Sequence, residues 1–272
     1  LLVGEPGCGA GFAARCLAAD YLYPNGGPHA EAVLRGQDTE SIVVRGEGAS
    51  GQIKVEAIRD ARQNIQKSAL SSDAEGRVLF IYGAQNLNGA SANAMLKIME
   101  EPPEGVMFLL TASSAAAVLP TIRSRCISFA VAPVSPEECA RWCIGQGVDK
   151  KQARLYSELF DGHIGTVLAA ARDDARREQV EKALTLAKAA AAHDSYAAAV
   201  LLAGYEKDKA AAAALLGDFR AVAAAGLRGC ASTPLTGDAA RRALSLADAA
   251  IQRLAAQVNP KITLSVLAAK LG

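Results

Sequence analysis

The sequence predicts an α/β domain built on a parallel sheet, followed by an entirely helical half. Short apolar runs at Leu1–Val3, Val78–Tyr82 and Val106–Thr111 have the length and composition of buried parallel strands. Between the last two runs, residues 91–103 carry apolar side chains at helical spacing and end in two prolines, which cannot continue a helix. From about Thr166 onward the chain is rich in alanine, with leucine and valine recurring at helical spacing.

Composition favours a globular protein of one to three domains. Hydrophobic residues make up 51% of the 272 residues, enough for a core, while 29 basic and 28 acidic residues give a net charge of only +1. Such a balance disfavours a protein that coats DNA by itself, because phosphate binding needs a concentrated basic surface. No apolar run approaches the length of a membrane span, so we expect a cytoplasmic protein without a membrane partner. Because the first residues already resemble a strand, we also expect further residues before Leu1.

The six cysteines are scattered, and small buried thiols in a reducing compartment are the expected state. No cysteine lies between Cys16 and Cys126, so no four-cysteine zinc site is predicted there. Cys139 and Cys143 lie one helical turn apart, but no second pair or nearby histidine completes a metal site. We therefore expect no bound zinc.

A glycine-rich turn follows the first strand and precedes an alanine-rich helix, expected over about Phe12–Tyr21. This is the order of a phosphate-binding loop, which needs Gly, four residues, Gly, Lys and then Ser or Thr. The residues at issue are Gly4, Gly7, Gly9, Ala10 and Gly11. Ala10 replaces the lysine that meets the β- and γ-phosphates, and Gly11 replaces the hydroxyl that binds magnesium. Only backbone amides remain to hold an anion.

The strand Val78–Tyr82 lacks the acids that an ATPase of this type places at its end. The positions that follow are Gly83, Ala84, Gln85 and Asn86, so no carboxylate can orient magnesium or polarise water. The two losses are independent in sequence and together predict that the chain has no intrinsic ATPase activity.

Two other local patterns leave alternatives open. Gly9, Gly11 and Ala14 also fit the dinucleotide fingerprint, which requires a second strand ending in an acidic residue. The corresponding region, residues 23–29, is a turn-rich break with no strand, so the interpretation as a dehydrogenase is weak. An amphipathic helix is expected over Gln52–Leu70, and its basic side chains lie on a solvated face or contact DNA or a neighbouring subunit. Those side chains are Arg59, Arg62 and Lys67.

Helix boundaries in the second half are marked by capping residues. Ser135, Pro136 and Glu138 form a helix start with a capping box. A helix is expected over Asp149–Phe160, and interruptions are expected near Asp194, Gly204 and residues 232–237, with a last helix starting at Asn259-Pro260.

Two motifs at a characteristic separation connect this chain to a known family. Asn93–Lys97 leads into Glu100, Glu101, Pro102 and Pro103, and Thr121–Arg123 leads into Ser124, Arg125 and Cys126. With the glycine loop, these segments resemble the clamp-loader subunits of bacterial DNA polymerase III, members of the AAA+ superfamily. The degenerate loop resembles the delta-prime family rather than the motor subunits, which retain the lysine and the acids. Gly165 stands where relatives with a working site have a nucleotide-sensing arginine.

The resemblance implies a RecA-like P-loop domain over residues 1–133, a small helical lid over 134–172 and an all-α collar over 173–272. It implies that Arg125 acts in trans as an arginine finger on ATP held next door, with Ser124, Cys126 and the Glu-Glu-Pro-Pro segment as supporting motifs. An ion pair near the sheet edge is the alternative role for Arg125.

The implied partners are the motor subunits, the delta subunit, the sliding clamp and primed DNA, in a hetero-oligomer on the bacterial nucleoid. No ATP, magnesium or zinc is expected on this chain. The alternatives are an active AAA+ motor ATPase and a stand-alone nucleotide or dinucleotide enzyme.

Overall fold

The computed structural model describes residues 1–48, 51–66 and 71–272, which form two compact units, Leu1–Ala132 and Pro133–Gly272. The first unit is an α/β layer structure. Its described strands are β1 (Leu2–Val3), β2 (Ser41–Arg45), β3 (Arg77–Tyr82), β4 (Val106–Ala112) and β5 (Phe129–Ala130). Its described α-helices are α1 (Ala10–Leu22), α2 (Pro28–Arg35), α3 (Val55–Ile65), α4 (Gly89–Glu100) and α5 (Pro120–Arg123).

The five strands form one sheet in the order β2-β3-β4-β1-β5, and every neighbouring pair is parallel. The predicted parallel sheet is confirmed. In the register, Leu2 pairs with Thr111 on one side and with Phe129 on the other, so β1 lies between β4 and β5. Dinucleotide-binding sheets place the first strand beside the second. This order is therefore not that of a dinucleotide-binding fold.

Helices cover both faces of the sheet. Alternate residues of a strand point to opposite faces, so each strand packs against helices on both sides. Val78 and Phe80 of β3 pack with α1, where Ala14 is fully buried, so the helix lies close to the strands. Leu79 and Ile81 pack on the other face with α3 and α4. This alternation explains why β3 is an almost continuous apolar run.

Several predicted bounds in this unit were wrong. The helix expected over Gln52–Leu70 is α3, Val55–Ile65, and residues 67–70, including Lys67, lie outside the described residues. A helix, α2, follows the turn-rich stretch after Tyr23 because Pro28 is well suited to a first helical position. The short elements α5 and β5 were not predicted, since four and two residues carry no periodic pattern.

The second unit is helical throughout its described secondary structure. Its helices are α6 (Pro136–Gly145), α7 (Lys150–Leu159), α8 (Ile164–Arg172), α9 (Asp174–Ala191), α10 (Ser195–Ala203), α11 (Lys209–Leu227), α12 (Gly237–Ala255) and α13 (Pro260–Leu271). The predicted capping box is confirmed, with the Ser135 hydroxyl accepting from the Glu138 N–H at 3.2 Å and a Glu138 carboxylate oxygen accepting from the Ser135 N–H at 3.2 Å. The Asn259 side chain caps α13, as expected.

One continuous hydrophobic cluster runs through this unit, from Cys139 to Leu271. Alanines such as Ala187 and Ala223 are fully buried and let the helices approach closely. A carboxylate, Asp218 of α11, is also buried there, and Arg176 and Gln179 of α9 donate hydrogen bonds to it. The division into a lid of residues 134–172 and a collar of 173–272 stays a prediction.

One helix among the described residues, α11, is long and apolar enough to cross a membrane by length and composition alone. This differs from the expectation that no apolar run approaches that length. Half of its most apolar stretch is buried inside the second unit, where Leu216 and Phe219 are fully covered. A core helix passes the same test, so α11 is weak evidence for a membrane span.

Candidate functional site

The glycine loop joins β1 to α1 and keeps the shape of a phosphate-binding loop. Gly7 and Gly9 have φ angles of +89° and +105°, in the left-handed region that favours glycine. Gly4 must lack a side chain, because a Cβ there would lie 2.4 Å from the sulfur of Cys8 and 2.5 Å from the carbonyl oxygen of Val131. The loop is thus a tightly built turn whose glycines serve its backbone geometry.

The first turn of α1 carries none of the polar side chains that a nucleotide would need. Gly9 occupies the N-cap position and makes no side-chain cap, and Ala10 is the first helical residue. A Cβ at Gly11 would lie 3.3 Å from the Cε1 atom of Tyr82, so a hydroxyl residue there would press on that ring. Neither charge nor hydroxyl is available where magnesium and the outer phosphates would be held.

An aromatic and cationic stack stands beside this loop, at the end of β3. The guanidinium carbon of Arg45 lies 4.6 Å from the centroid of the Tyr82 ring, and Phe80 stacks on Tyr82 with centroids 5.6 Å apart. The chain then turns away at Gly83, whose N–H donates to the backbone carbonyl of Thr111 at 3.1 Å. A tyrosine ring and a tight turn occupy the strand end that holds acids in ATPases. The residues of this loop and strand end do not fit a magnesium–nucleotide complex.

Arg125 follows α5 and lies on the surface, with 41% of its side chain exposed. Its Nη2 donates to the Oε1 atom of Glu100 at 2.7 Å, and its Nη1 donates to the Thr121 carbonyl oxygen at 3.2 Å. The two motifs that carry the family resemblance therefore meet through a direct ion pair. This pairing of Glu100 with Arg125 was not predicted from the sequence, although an ion pair near the sheet edge was the alternative role for Arg125.

The supporting residues of the second motif shape the turn that presents Arg125. The Ser124 hydroxyl donates to the carbonyl of Thr121 at 3.1 Å, and the Cys126 N–H donates to that of Arg123 at 3.2 Å. Cys126 packs against the core of the sheet, and burial raises the pKa of its thiol. Its thiol is therefore a packing group at neutral pH, and the turn is anchored on its inner side.

The first motif ends α4 where predicted. Glu100 is the last helical residue, and Glu101 occupies the C-cap. Pro102 and Pro103 then prevent another turn, because a proline ring clashes with the preceding helical carbonyl. The C-terminal end of α4 is fixed to the sheet through Met95 and Ile98, which are buried in its core.

The glycine loop and Arg125 lie at opposite edges of the sheet. All strands are parallel, so they begin at one edge and end at the other. The loop follows β1 and lies at the carboxyl edge. Glu100 precedes β4 and Arg125 precedes β5, which places both at the amino edge. The seven residues of β4 alone span roughly 20 Å at about 3.3 Å per residue.

A basic groove lies between α3 and α4 in the same unit, with a volume of about 310 Å³. Arg59 and Arg62 of α3 and Lys97 of α4 line it, and Ile58 and Ile98 contribute to its floor. None of these cations forms an ion pair with another residue in the part of the chain that the structure describes. The sequence pointed to Arg59 and Arg62, but only the packing of α4 on α3 adds Lys97.

An apolar surface lies on α10 of the helical unit. Tyr196 and Val200 are 79% and 60% exposed. They line a groove of about 570 Å³, together with Ala189. Exposed apolar groups that share one groove are typical of protein interfaces. Tyr196 and Val200 are called the α10 patch below.

The cysteines give no indication of metal binding. All six are free, and Cys139 and Cys143 are fully buried in the helical core. Burial, with the neighbouring Cys139 thiol, raises the pKa of Cys143 to about 12, so the thiol stays protonated. Within the described ranges, no group of three or more His, Cys, Asp or Glu could hold a metal ion. The expected absence of zinc stays a prediction.

Comparison with known proteins identifies the first unit. Residues 1–135 match the family model described as "DNA polymerase III, delta subunit". These residues belong to the delta-prime clamp-loader family. The delta' subunit of Yersinia pestis is 34% identical over 110 residues, which are 40% of this chain and 32% of that protein. The delta' subunit of Haemophilus influenzae is 36% identical over 103 residues, 38% of this chain and 31% of that protein.

These matches span about a third of the length of the delta' relatives. Over the whole chain, a crystal structure of a DNA polymerase III gamma subunit-related protein from Thermotoga maritima is similar, with a TM-score of 0.57 and 16% identity. The similarity covers 100% of this chain and 93% of that one. The predicted fold, a RecA-like AAA+ domain followed by helical domains, is confirmed. The matches support a clamp-loader-type subunit of DNA polymerase III.

Proposed function

We propose that this chain is the non-hydrolysing, delta-prime-type subunit of a bacterial clamp loader. It presents Arg125 to ATP bound by a neighbouring motor subunit while the complex opens a sliding clamp and loads it onto primed DNA. In this proposal it works in the cytoplasm, on the nucleoid, with motor and delta subunits as partners. The supporting observation is that Arg125 lies exposed at the edge of the sheet opposite its own glycine loop.

The chemistry of arginine suits this role. A guanidinium is always charged and its planar fork can bind two phosphate oxygens at once. It stabilises the charge that develops on the phosphoryl group during transfer. Because Arg125 cannot reach a nucleotide on its own loop from the amino edge, the phosphate that it meets must belong to another molecule. A subunit can thus assist hydrolysis without performing it.

The same proposal assigns no ATP, magnesium or zinc to this chain. Ala10 and Gly11 offer no charge or hydroxyl, and Tyr82 stands beside the loop. The end of β3 carries no carboxylate. The loop retains only the backbone geometry of a phosphate-binding loop, and in this proposal it serves as a scaffold between β1 and α1.

We assign the basic groove to the DNA backbone. Arg59, Arg62 and Lys97 line one groove on two adjacent helices and have no ion-pair partner among the described residues, so their charges are available to phosphate oxygens. The net charge of +1 shows that this is a local feature and not a general affinity for nucleic acid. Primed DNA would therefore be held with the help of other subunits of the complex.

The α10 patch is assigned to contacts with the helical domains of neighbouring subunits. Tyr196 supplies a large rigid ring with a polar tip, a residue type enriched at the centre of protein interfaces. Val200 lines the same groove and extends the apolar area beside it. The hetero-oligomer formed through this surface is the assembly in which Arg125 would act.

The test is ATP hydrolysis by the complex reconstituted with motor and delta subunits, clamp and primed DNA. Arginine fingers contribute about 10³- to 10⁵-fold in other phosphoryl-transfer enzymes, so Arg125→Ala should lower hydrolysis at the adjacent site by at least about 10-fold. Arg123→Ala is the matched control, because Arg123 lies two residues away and, within the described residues, its side chain donates only to the Ala115 carbonyl. Unchanged hydrolysis with R125A in an intact complex would refute the finger assignment.

The motor-ATPase alternative has its own measurement. Titration calorimetry of the purified chain with ATP and magnesium should give no binding heat. Micromolar binding that disappears in the Gly9→Val variant would instead favour an active nucleotide site, and the non-hydrolysing role would then be wrong.

A further inference from the structure

We infer that Glu100 is the positioning residue for Arg125, an inference that rests on the function proposed above. The two residues are 25 positions apart in sequence, at the end of α4 and just after α5. The pair links the Glu-Glu-Pro-Pro segment to the Ser-Arg-Cys segment. Its consequence is a guanidinium that is oriented before any neighbouring subunit arrives.

The contacts hold the guanidinium from one side. Glu100 accepts from Nη2 at 2.7 Å, and the carbonyl of Thr121 accepts from Nη1 at 3.2 Å. Both terminal nitrogens keep a further N–H, and Nε keeps its own. With 41% of the Arg125 side chain exposed, these remaining donors are available to an acceptor from another molecule.

Positioning matters because an unrestrained arginine has many rotamers. Holding the guanidinium in one orientation before docking removes part of the entropy that would otherwise be lost on reaching the transition state. The anchor is itself rigid: α4 is fixed by Met95 and Ile98 in the core, and its end is fixed by the prolines that follow. Glu100 thus offers its carboxylate from a defined place.

The neighbouring glutamate provides a matched comparison within the motif. Glu101 is exposed at the C-cap of α4, and no hydrogen bond or ion pair involves its side chain in the described part of the chain. Both residues have the same charge and side-chain length. Only Glu100 faces Arg125, so only its replacement should affect the finger.

A carboxylate beside an arginine could instead restrain it, because the negative charge offsets part of the attraction to phosphate. Replacement by glutamine separates the two effects. The amide oxygen of Glu100→Gln can still accept from Arg125, while the charge is removed. If Glu100 positions Arg125, the complex containing E100Q retains its ATP hydrolysis. If Glu100 restrains Arg125, the complexes containing E100Q and E100A both hydrolyse ATP faster than wild type.

The experiment measures clamp- and DNA-stimulated ATP hydrolysis by the reconstituted complex containing wild-type, E100A, E100Q, E101A or R125A chain. We expect E100A to lower kcat by about 3- to 10-fold, with the KM for ATP unchanged, as for loss of an exposed anchor that orients a catalytic group. E100Q and E101A should stay within about 2-fold of wild type, since one keeps the acceptor and the other never contacts Arg125.

The outcomes distinguish this inference from the proposed function. If R125A lowers hydrolysis but E100A matches E101A, the positioning role is wrong and the finger assignment stands. If E100A raises hydrolysis, Glu100 restrains Arg125 and the inference is overturned. If R125A leaves hydrolysis unchanged, the finger assignment of Arg125 and the positioning role of Glu100 are both wrong. Thermal melting of each variant checks that E100A remains as folded as E101A.

Discussion

The two units each contain an arginine paired with a carboxylate, and the two pairs differ in exposure. In the helical unit, Arg176 and Asp218 have 23% and 7% of their side chains exposed, and Gln179 adds a further hydrogen bond. In the α/β unit, Arg125 and Glu100 have 41% and 52% exposed. A buried carboxylate must be paired to be tolerated, whereas an exposed pair adds little stability. The first pair therefore belongs to the fold, and the second is free to serve another molecule.

The largest expected effect is on the unfolding free energy, when the buried pair of Arg176 and Asp218 is broken. Asp218→Ala leaves Arg176 without its main partner in the helical core, and breaking a buried pair costs about 3–5 kcal/mol of unfolding free energy. Urea denaturation followed by circular dichroism measures this loss. Glu100→Ala is the control and should cost less than about 1 kcal/mol. Equal losses in the two variants would contradict the distinction between the pairs.

The next effect, on DNA binding, concerns the basic groove, whose cations have no carboxylate partner among the described residues. Replacing Arg59, Arg62 and Lys97 together by alanine should weaken DNA binding by the complex and lower the slope of log K against log salt by roughly 3, at about 0.9 per phosphate contact. Fluorescence anisotropy with primed DNA across a salt series measures both.

For this DNA prediction, the control is the triple variant Arg141→Ala, Arg154→Ala and Lys188→Ala, which removes the same charge from the helical unit. An equal loss of affinity in both variants would mean that DNA responds to overall charge, and the groove assignment would be wrong.

A smaller effect is expected from Arg125→Lys. Lysine keeps the positive charge but loses the planar fork, so it cannot hold Glu100 and a phosphate with the same geometry. Hydrolysis by the complex should fall by about 10-fold, or about 1.4 kcal/mol in the barrier, and less than in R125A. Full activity of R125K would show that only the charge of this residue matters.

The smallest effect, on ATP binding by this chain, should come from restoring the lysine and hydroxyl residue that the glycine loop lacks. The double variant Ala10→Lys and Gly11→Thr supplies the missing ammonium and hydroxyl, yet β3 still ends without acids and Tyr82 crowds position 11. We expect calorimetry with ATP and magnesium to show no binding. Tight ATP binding by this variant would show that Ala10 and Gly11 alone prevent the wild-type loop from binding the nucleotide, and that the end of β3 is not an obstacle.

Much of the α/β unit could be predicted from sequence, because local patterns determine it. The apolar runs that became β3 and β4 and the proline stop after α4 all lie within short windows. The short elements α5 and β5 were missed, since their residues are fixed by neighbours distant in sequence. The helix start at Pro28 was missed because glycines before it resembled a longer turn.

The chemical state of the site was also predictable in part. The residue types at positions 10 and 11, alanine and glycine, show that neither an ammonium group nor a hydroxyl is present there, whatever the fold. The role proposed for Arg125 came from the motif in which it lies. By contrast, the surface on which Arg125 lies, its partner Glu100 and the third cation of the basic groove depend on how separate helices pack.

The sequence by itself determined which chemistry the chain lacks and which parallel-sheet architecture it adopts, because both follow from residue identity and local periodicity. Only the tertiary structure decided where Arg125, the residue proposed to act on a neighbouring ATP, lies and what it contacts. The strand order places the end of α4 beside the turn after α5, which brings Glu100 to Arg125 and sets both at the edge away from the glycine loop. Contacts between elements 25 residues apart depend on that order, and no single stretch of the sequence encodes it.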